Sequence, residues 1–173
     1  QTCALPISLR AWKDGETQVA QGTWRTTAPA RSVSAVDWAE AFEWFGDWSW
    51  FYRFGPLGAQ VLEAVWSDDS GQERGRAVML AGGQNLPIER DLGLCAQVLS
   101  SSPEAVNVRV QTRRFAQGLH WDVPGWLPDQ AHAHLVPGGE RVVRFTPMPG
   151  RPAKSFSGQL LALNLVGAVS IQA

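Results

Sequence analysis

Cysteine, tyrosine and basic excess are what this 173-residue chain has least of. Its two cysteines, Cys3 and Cys95, are far apart and in no ligand-type spacing, which excludes a disulfide framework and a thiolate zinc site. Fifteen Lys and Arg stand against 16 Asp and Glu, for a net charge of −1, so there is no cationic surface to displace counterions from a polyanion, and nucleic acid is not an expected partner. No apolar run approaches the roughly 20 residues of a membrane-spanning helix, and no basic segment leads into an apolar one at the amino terminus. A membrane is therefore not expected either. Phosphate cradles of the P-loop or G-x-G-x-x-G type and the G-x-S-x-G nucleophile elbow are also missing.

What is present is 45% hydrophobic and 18% charged residues, the balance of a globular chain with a core to bury. Nine Trp, 17 Gly and 11 Pro point to many turns and large flat apolar side chains, hence a β-rich architecture. Gln1–Ile7 (QTCALPI) resembles the translation of a sequencing adapter, so the expected native sequence begins at about Ser8, and Cys3 is not expected to be native. Two short runs, 8–12 and 17–26, flank Lys13-Asp14-Gly15-Glu16, where Asp-Gly supplies the positive φ of a tight hairpin. A short strand is expected through Val33. From 37 to 44 the spacing of Trp38, Ala41 and Phe42 predicts a helical turn or a bulge, and 48–54 is aromatic at nearly every position. A second hairpin is predicted from 59–66 and 76–80 across the turn SDDSGQE.

Residues 82–90 lose all periodicity and read as a linker. Beyond it, Val106, Val108, Val110 and Thr112 alternate with Asn107, Arg109, Gln111 and Arg113, the clearest period of two in the chain. Further strands are expected at 93–99, 118–123, 131–135, 140–146, 159–164 and 168–172, with turns at Pro124-Gly125, Pro137-Gly138-Gly139 and Pro149-Gly150. The predicted fold is all-β: two consecutive immunoglobulin-like antiparallel β-sandwich domains over 8–90 and 91–173, the first incomplete.

Three carboxylate pairs are candidates for a glycosidase dyad: Glu40 with Glu43, Asp68 with Asp69, and Asp122 with Asp129. Turn chemistry alone accounts for Asp68 and Asp69, and a solvated helix face for Glu40 and Glu43. His132 and His134, alternate on a strand, would share a face and could hold a metal with His120 or Asp122 as third ligand, but no cysteine joins them and no metal or cofactor is expected. Trp44, Trp48, Trp50, Trp121 and Trp126 are the candidates for stacking on sugar rings. Core filling is the commoner fate of Trp, yet Trp121 and Trp126 flank the DVPG turn and are expected at an exposed rim. Trp121, Asp122, Trp126, His132 and His134 form the candidate contact set for a glycan or a neighbouring domain.

YRFGP at 52–56, ERDLGL at 89–94, TRRFAQGLHWDVPGW at 112–126, HLVPGGERVVRFTP at 134–147 and LLALN at 160–164 together resemble the carboxy-terminal part of bacterial β-mannosidases of glycoside hydrolase family 2. The resemblance runs from about Leu9 to Ala173. It implies two sandwich domains that follow a (β/α)8 catalytic barrel, with the first entered partway, and a parent enzyme that removes terminal β-linked mannose from mannooligosaccharides with retention. The family's acid/base glutamate follows an asparagine, whereas Asn85, Asn107 and Asn164 precede Leu86, Val108 and Leu165, and no Ser-Glu pair occurs. A barrel of about 250 residues could not fit here. No catalytic residue is carried over, and the expected role is support of that barrel, the chain's implied partner. The alternatives are a carbohydrate-binding sandwich using exposed Trp, the tail of a related exo-glycosidase, and a free-standing interaction module. Neither periplasm nor cytoplasm follows from the sequence.

Overall fold

The computed structural model describes residues 4–27, 29, 31–35, 42, 58–81, 86–150 and 155–173. The chain divides into two compact units, 1–84 and 85–173. Among the described residues the named strands all pair antiparallel, an isolated bridge between Glu89 and Leu165 is parallel, and no helix is long and apolar enough to cross a membrane.

In the first unit, β1 (Ala4–Lys13), β2 (Thr17–Thr27), β3 (Val61–Ser67) and β4 (Glu73–Leu80) form one sheet in the order β2-β1-β3-β4. The hairpin between β1 and β2 closes as the sequence predicts: Asp14 and Gly15 have φ of 53° and 64°, and the Glu16 N–H donates to the Lys13 carbonyl at 3.1 Å. Two adjacent left-handed residues match the twist of the strands they join. β1 starts earlier than Ser8, with Ala4 opposite Thr27, because ladder hydrogen bonds use only backbone and do not require a particular side chain. Alternation gives the sheet two characters. Leu9, Ala11 and Leu62 lie in one apolar cluster with Phe42 and Ala59, while Arg10 and Glu63, opposite one another in register, occupy the other face. The strand expected through Val33 is absent: Ser32 instead folds back on the Pro29 carbonyl through both its N–H and its hydroxyl, Arg31 sits at φ 58°, and Val33 is exposed. The predicted helical turn at 37–44 lies, apart from buried Phe42, outside the described residues, as does the aromatic run 48–54.

The second unit contains β5 (Cys95–Ser101), β6 (Val106–Gln111), β7 (Ala116–Asp122), β8 (Trp126–Pro128), β9 (His132–Leu135), β10 (Glu140–Pro147), β11 (Ser157–Leu161) and β12 (Val169–Gln172). They make two sheets, β5-β6-β10-β8 and β12-β11-β7-β9. One core between them takes Val106, Val108, Val110, Val143 and Phe145 from the first sheet and Leu119, Trp121, Leu135, Leu160 and Ile171 from the second. Each fully buried Val or Phe contributes about 1.5–3 kcal/mol relative to exposure. The inner strands follow the immunoglobulin plan, A-B-E against G-F-C. The outer strands depart from it: the chain visits the edge beside β10 before the edge beside β7, the reverse of an immunoglobulin domain. β8 was not predicted from sequence, being three residues long with a proline and no alternation. The expected linker is partly structured, since residues 86–90 are tied into this unit. The Leu86 N–H donates to Gln117 Oε1, the Glu89 N–H to the Asn164 carbonyl, and the Val166 N–H to the Glu89 carbonyl.

Candidate functional site

The DVPG turn that ends β7 sets the positions of Trp121, Asp122 and Trp126, while His132 and His134 lie on β9. Pro124 and Gly125 occupy its centre, Gly125 has φ 90°, and the Trp126 N–H donates to the Val123 carbonyl at 3.1 Å, the pattern of a type II turn. This turn carries the chain from one sheet to the other, so the residues that flank it enter the core from opposite sides. Trp121 is 8% exposed and meets Phe145 edge-on at 5.1 Å; Trp126 is 6% exposed and meets Phe156 edge-on at 5.4 Å. The expectation of a tryptophan rim is therefore corrected: these two rings are core, and neither offers a face to a sugar. The physical reason is the sheet-to-sheet crossing, which turns a sequence that flanks a surface loop into two inward-facing anchors. Trp44, Trp48 and Trp50 lie outside the described residues. Trp66, on β3, is the tryptophan exposed among the described residues.

Asp122 and His132 are exposed, and His134 is half-buried. His132 and His134 alternate on β9 as expected, but their environments differ. His134 stacks on buried Phe115 with centroids 5.6 Å apart, and its Nδ1 accepts the Gly118 N–H at 3.1 Å, which requires that nitrogen to be unprotonated. Burial lowers its pKa from the usual histidine value and holds the ring neutral. His132 instead stands opposite His120 in the β7–β9 register, and the two rings stack with centroids 5.3 Å apart and planes 14° from parallel. Sequence spacing suggested the intrastrand pair; register selects the cross-strand one. Among the described residues no group of three or more His, Cys, Asp or Glu converges as a metal cluster.

Among the described carboxylates, Asp68 and Asp129 are committed to local hydrogen bonds. Asp129 is engaged by Arg144, whose N–H donates to Oδ1 at 3.1 Å. Asp68 organises its own turn, accepting the Ser70 hydroxyl at 2.6 Å, the Ser70 and Gln72 N–H groups, and Arg74 Nε at 2.8 Å. The Ser70 hydroxyl, followed by those backbone and guanidinium donors, holds its pKa down at about 2, against the 3.8 of a free aspartate. A group so fixed as a carboxylate is a poor proton donor near neutrality. Glu40 and Glu43 lie outside the described residues.

Sequence reasoning missed the buried carboxylate of Glu63, fully inaccessible on β3. Arg10 donates to its Oε2 from Nε at 2.9 Å and from Nη2 at 2.6 Å, Arg76 donates to its Oε1, and Arg76 also forks onto Glu73. Glu73 first, and Glu63 with it, raise the Arg76 pKa above its ordinary value despite burial. Two guanidinium partners satisfy a charge that would otherwise be expelled from the interior. The available signal was a Glu between Leu62 and Ala64 with Arg10 opposite it on β1 and Arg76 diagonal to it on β4, opposite Val65, which requires the pairing to be known. Ser8, Arg10, Gln21, Thr23, Val65 and Arg76 line an open groove of about 690 Å³ beside this network. Its guanidinium groups are already committed to carboxylates, so it has little positive charge left over for an anion.

Among the described residues, several that carry the resemblance hold the second unit together. Leu92, buried in ERDLGL, accepts the Arg113 and Arg114 N–H groups and the Thr112 hydroxyl through its carbonyl. Asp91 binds the Gly93 N–H and Arg113, while Glu89 pairs with Arg114. Asn164, which ends LLALN, is 2% exposed and brackets β7: its Oδ1 accepts the Gln117 N–H at 2.8 Å and its Nδ2 donates to the Phe115 carbonyl at 2.8 Å. Gly158 lets β11 approach the end of β7, since a Cβ there would stand 2.2 Å from the Asp122 carbonyl oxygen.

No protein-family model matches the chain, and no curated protein matches it. Solved structures do. The exo-chitosanase CsxA of Amycolatopsis orientalis aligns with 99% of this chain at TM-score 0.57 and 14% identity. A structure of the exo-β-D-glucosaminidase CsxA with castanospermine and australine analogues aligns at 0.56 and 14%, and the A. orientalis enzyme in complex with PNP-β-D-glucosamine at 0.58 and 13%. In each case the chain spans about a quarter of the matched protein, 24% of its length. At 13–14% identity the likeness shows the fold, and it extends through both units.

Proposed function

We propose that this chain is the accessory carboxy-terminal region of an exo-acting glycosidase of glycoside hydrolase family 2, and that the parent enzyme is a β-mannosidase that removes terminal β-D-mannose with retention. The observation that carries the reading is the alignment of 99% of the chain with one quarter of an exo-acting glycosidase. The β-mannosidase-like motifs, in the same order along the chain, supply the finer substrate assignment. The chain's own work in this reading is mechanical: it braces a catalytic barrel, and the acid/base and nucleophile glutamates belong to that barrel. A carbohydrate-binding role for Trp121 and Trp126 loses its support, because both rings are buried.

A second reading, the tail of an exo-β-D-glucosaminidase, is favoured by the likeness to the exo-β-D-glucosaminidase CsxA. Expressing the whole parent polypeptide and assaying p-nitrophenyl β-D-mannoside against the β-D-glucosaminide separates the two. Hydrolysis of the mannoside is the expected result. Preference for the glucosaminide moves the assignment to the second reading, and a parent polypeptide without a barrel overturns both.

A further inference from the structure

We propose that His120 and His132 form a surface site for a borderline divalent transition ion, with Cu(II) bound most tightly, that clasps the edge strand β9 to β7. The proposal stands apart from the glycosidase reading and uses only residues of the second unit. The two imidazoles are opposite in register on antiparallel strands, both exposed, and their rings already lie 5.3 Å apart. Stacking at 14° places them side by side, and rotation about the side-chain bonds, which an exposed histidine makes freely, brings one nitrogen of each to the roughly 2.0–2.1 Å of an imidazole–metal bond. His134 does not compete for the ion: its Nδ1 is occupied by the Gly118 N–H and its ring packs on Phe115. Since no larger His, Cys, Asp or Glu cluster converges among the described residues, water completes the coordination sphere. Two imidazoles with open positions suit Cu(II), Ni(II) and Zn(II), in that chemistry's usual order of preference for copper, and give no purchase to Mg(II), which takes oxygen ligands.

The site has a mechanical consequence. β9 is four residues long, and its pairing with β7 is interrupted by a register shift between Ala116 and Leu119. An ion that bridges the strands binds the folded pair and not the unfolded chain, so it raises the melting temperature of this unit.

The full chain titrated with Cu(II) and followed by electron paramagnetic resonance tests the assignment. Nitrogen splitting from two imidazoles is expected, with affinity falling about tenfold or more in His120→Ala and in His132→Ala, because each loses the intramolecular second ligand. His134→Ala is expected to keep both signal and affinity. Ni(II) should raise the melting temperature of the parent chain and of neither pair variant. Both pair positions are exposed, so the metal-free variants are expected to melt with the parent; His132→Gln is the second variant if His132→Ala does not. Unchanged Cu(II) affinity in either pair variant, loss of the signal in His134→Ala, or equal binding of Mg(II) would overturn the site.

Discussion

The first unit buries a charge on its sheet, whereas the second packs hydrocarbon and aromatic rings between two sheets, and the polar residues it buries, Thr112, Gln117 and Asn164, are uncharged. Glu63 sits inaccessible on β3 and is held there by Arg10 and Arg76, themselves partly exposed. In the second unit the comparable central position belongs to Phe145, fully buried and edge-on to both Trp121 and Phe156. The contrast teaches where each unit is vulnerable. An aromatic core loses stability in proportion to the volume removed, whatever the pH. A buried ion network is insensitive to volume and fails when one partner is removed, because the remaining charge stays desolvated.

The comparison breaks most visibly at the aromatic cluster. Phe145→Ala should destabilise the second unit by about 3–5 kcal/mol and leave the first unit's amide exchange unchanged, as read by hydrogen exchange resolved along the chain. Next in size, Arg76→Ala strands half of the Glu63 carboxylate and should cost the first unit up to about 3–5 kcal/mol in urea denaturation. Adding Glu63→Gln should recover part of that loss; if the double variant is no more stable than the single one, the network is not what holds β3. Asn164→Ala removes two buried hydrogen bonds and orphans the Gln117 N–H and the Phe115 carbonyl, for an expected loss of about 2–3 kcal/mol from the second unit.

Acid provides the finest separation. The folded His134 pKa is lowered by burial, so its contribution is complete above the 6.5 of a free histidine and declines as pH falls below that value. All three histidines lie in the second unit. A drop in melting temperature on going from pH 7 to about pH 5 should therefore be confined to that unit and be abolished by His134→Gln. Asp68 acts in the first unit and in a lower window: its carboxylate ties the β3–β4 turn above the free value of 3.8, and the tie is lost as pH falls toward about 2. Exchange rates at 67–73 measured across that interval check it.

Much of the framework was legible from residue order, because hairpins and alternating strands are local. Asp14-Gly15 requires two left-handed residues, and Val106, Val108 and Val110 declare one buried face without help from any distant partner. The candidate site was less legible. Asp122 and His132 are exposed, yet the partner of His132 is His120 rather than His134, and Trp121 and Trp126 face inward. A period of two says which residues share a face; it does not say which strand lies alongside or which face is covered. Asn164 and Glu63 were invisible for the same reason, since a buried polar residue is tolerable only where distant donors and acceptors meet it.

Sequence by itself thus determined the all-β character, the tight turns whose glycines adopt positive φ, and the alternation that divides each long strand into a wet and a dry side, all consequences of local sterics and side-chain direction. Tertiary structure alone decided the crossing of the chain between sheets at Val123–Trp126, which buries two tryptophans, the pairing of two guanidinium groups around Glu63, and the meeting of two imidazoles across β7 and β9. Those depend on strand order and register, which are fixed by contacts between residues far apart in the chain and are written in no single segment of it.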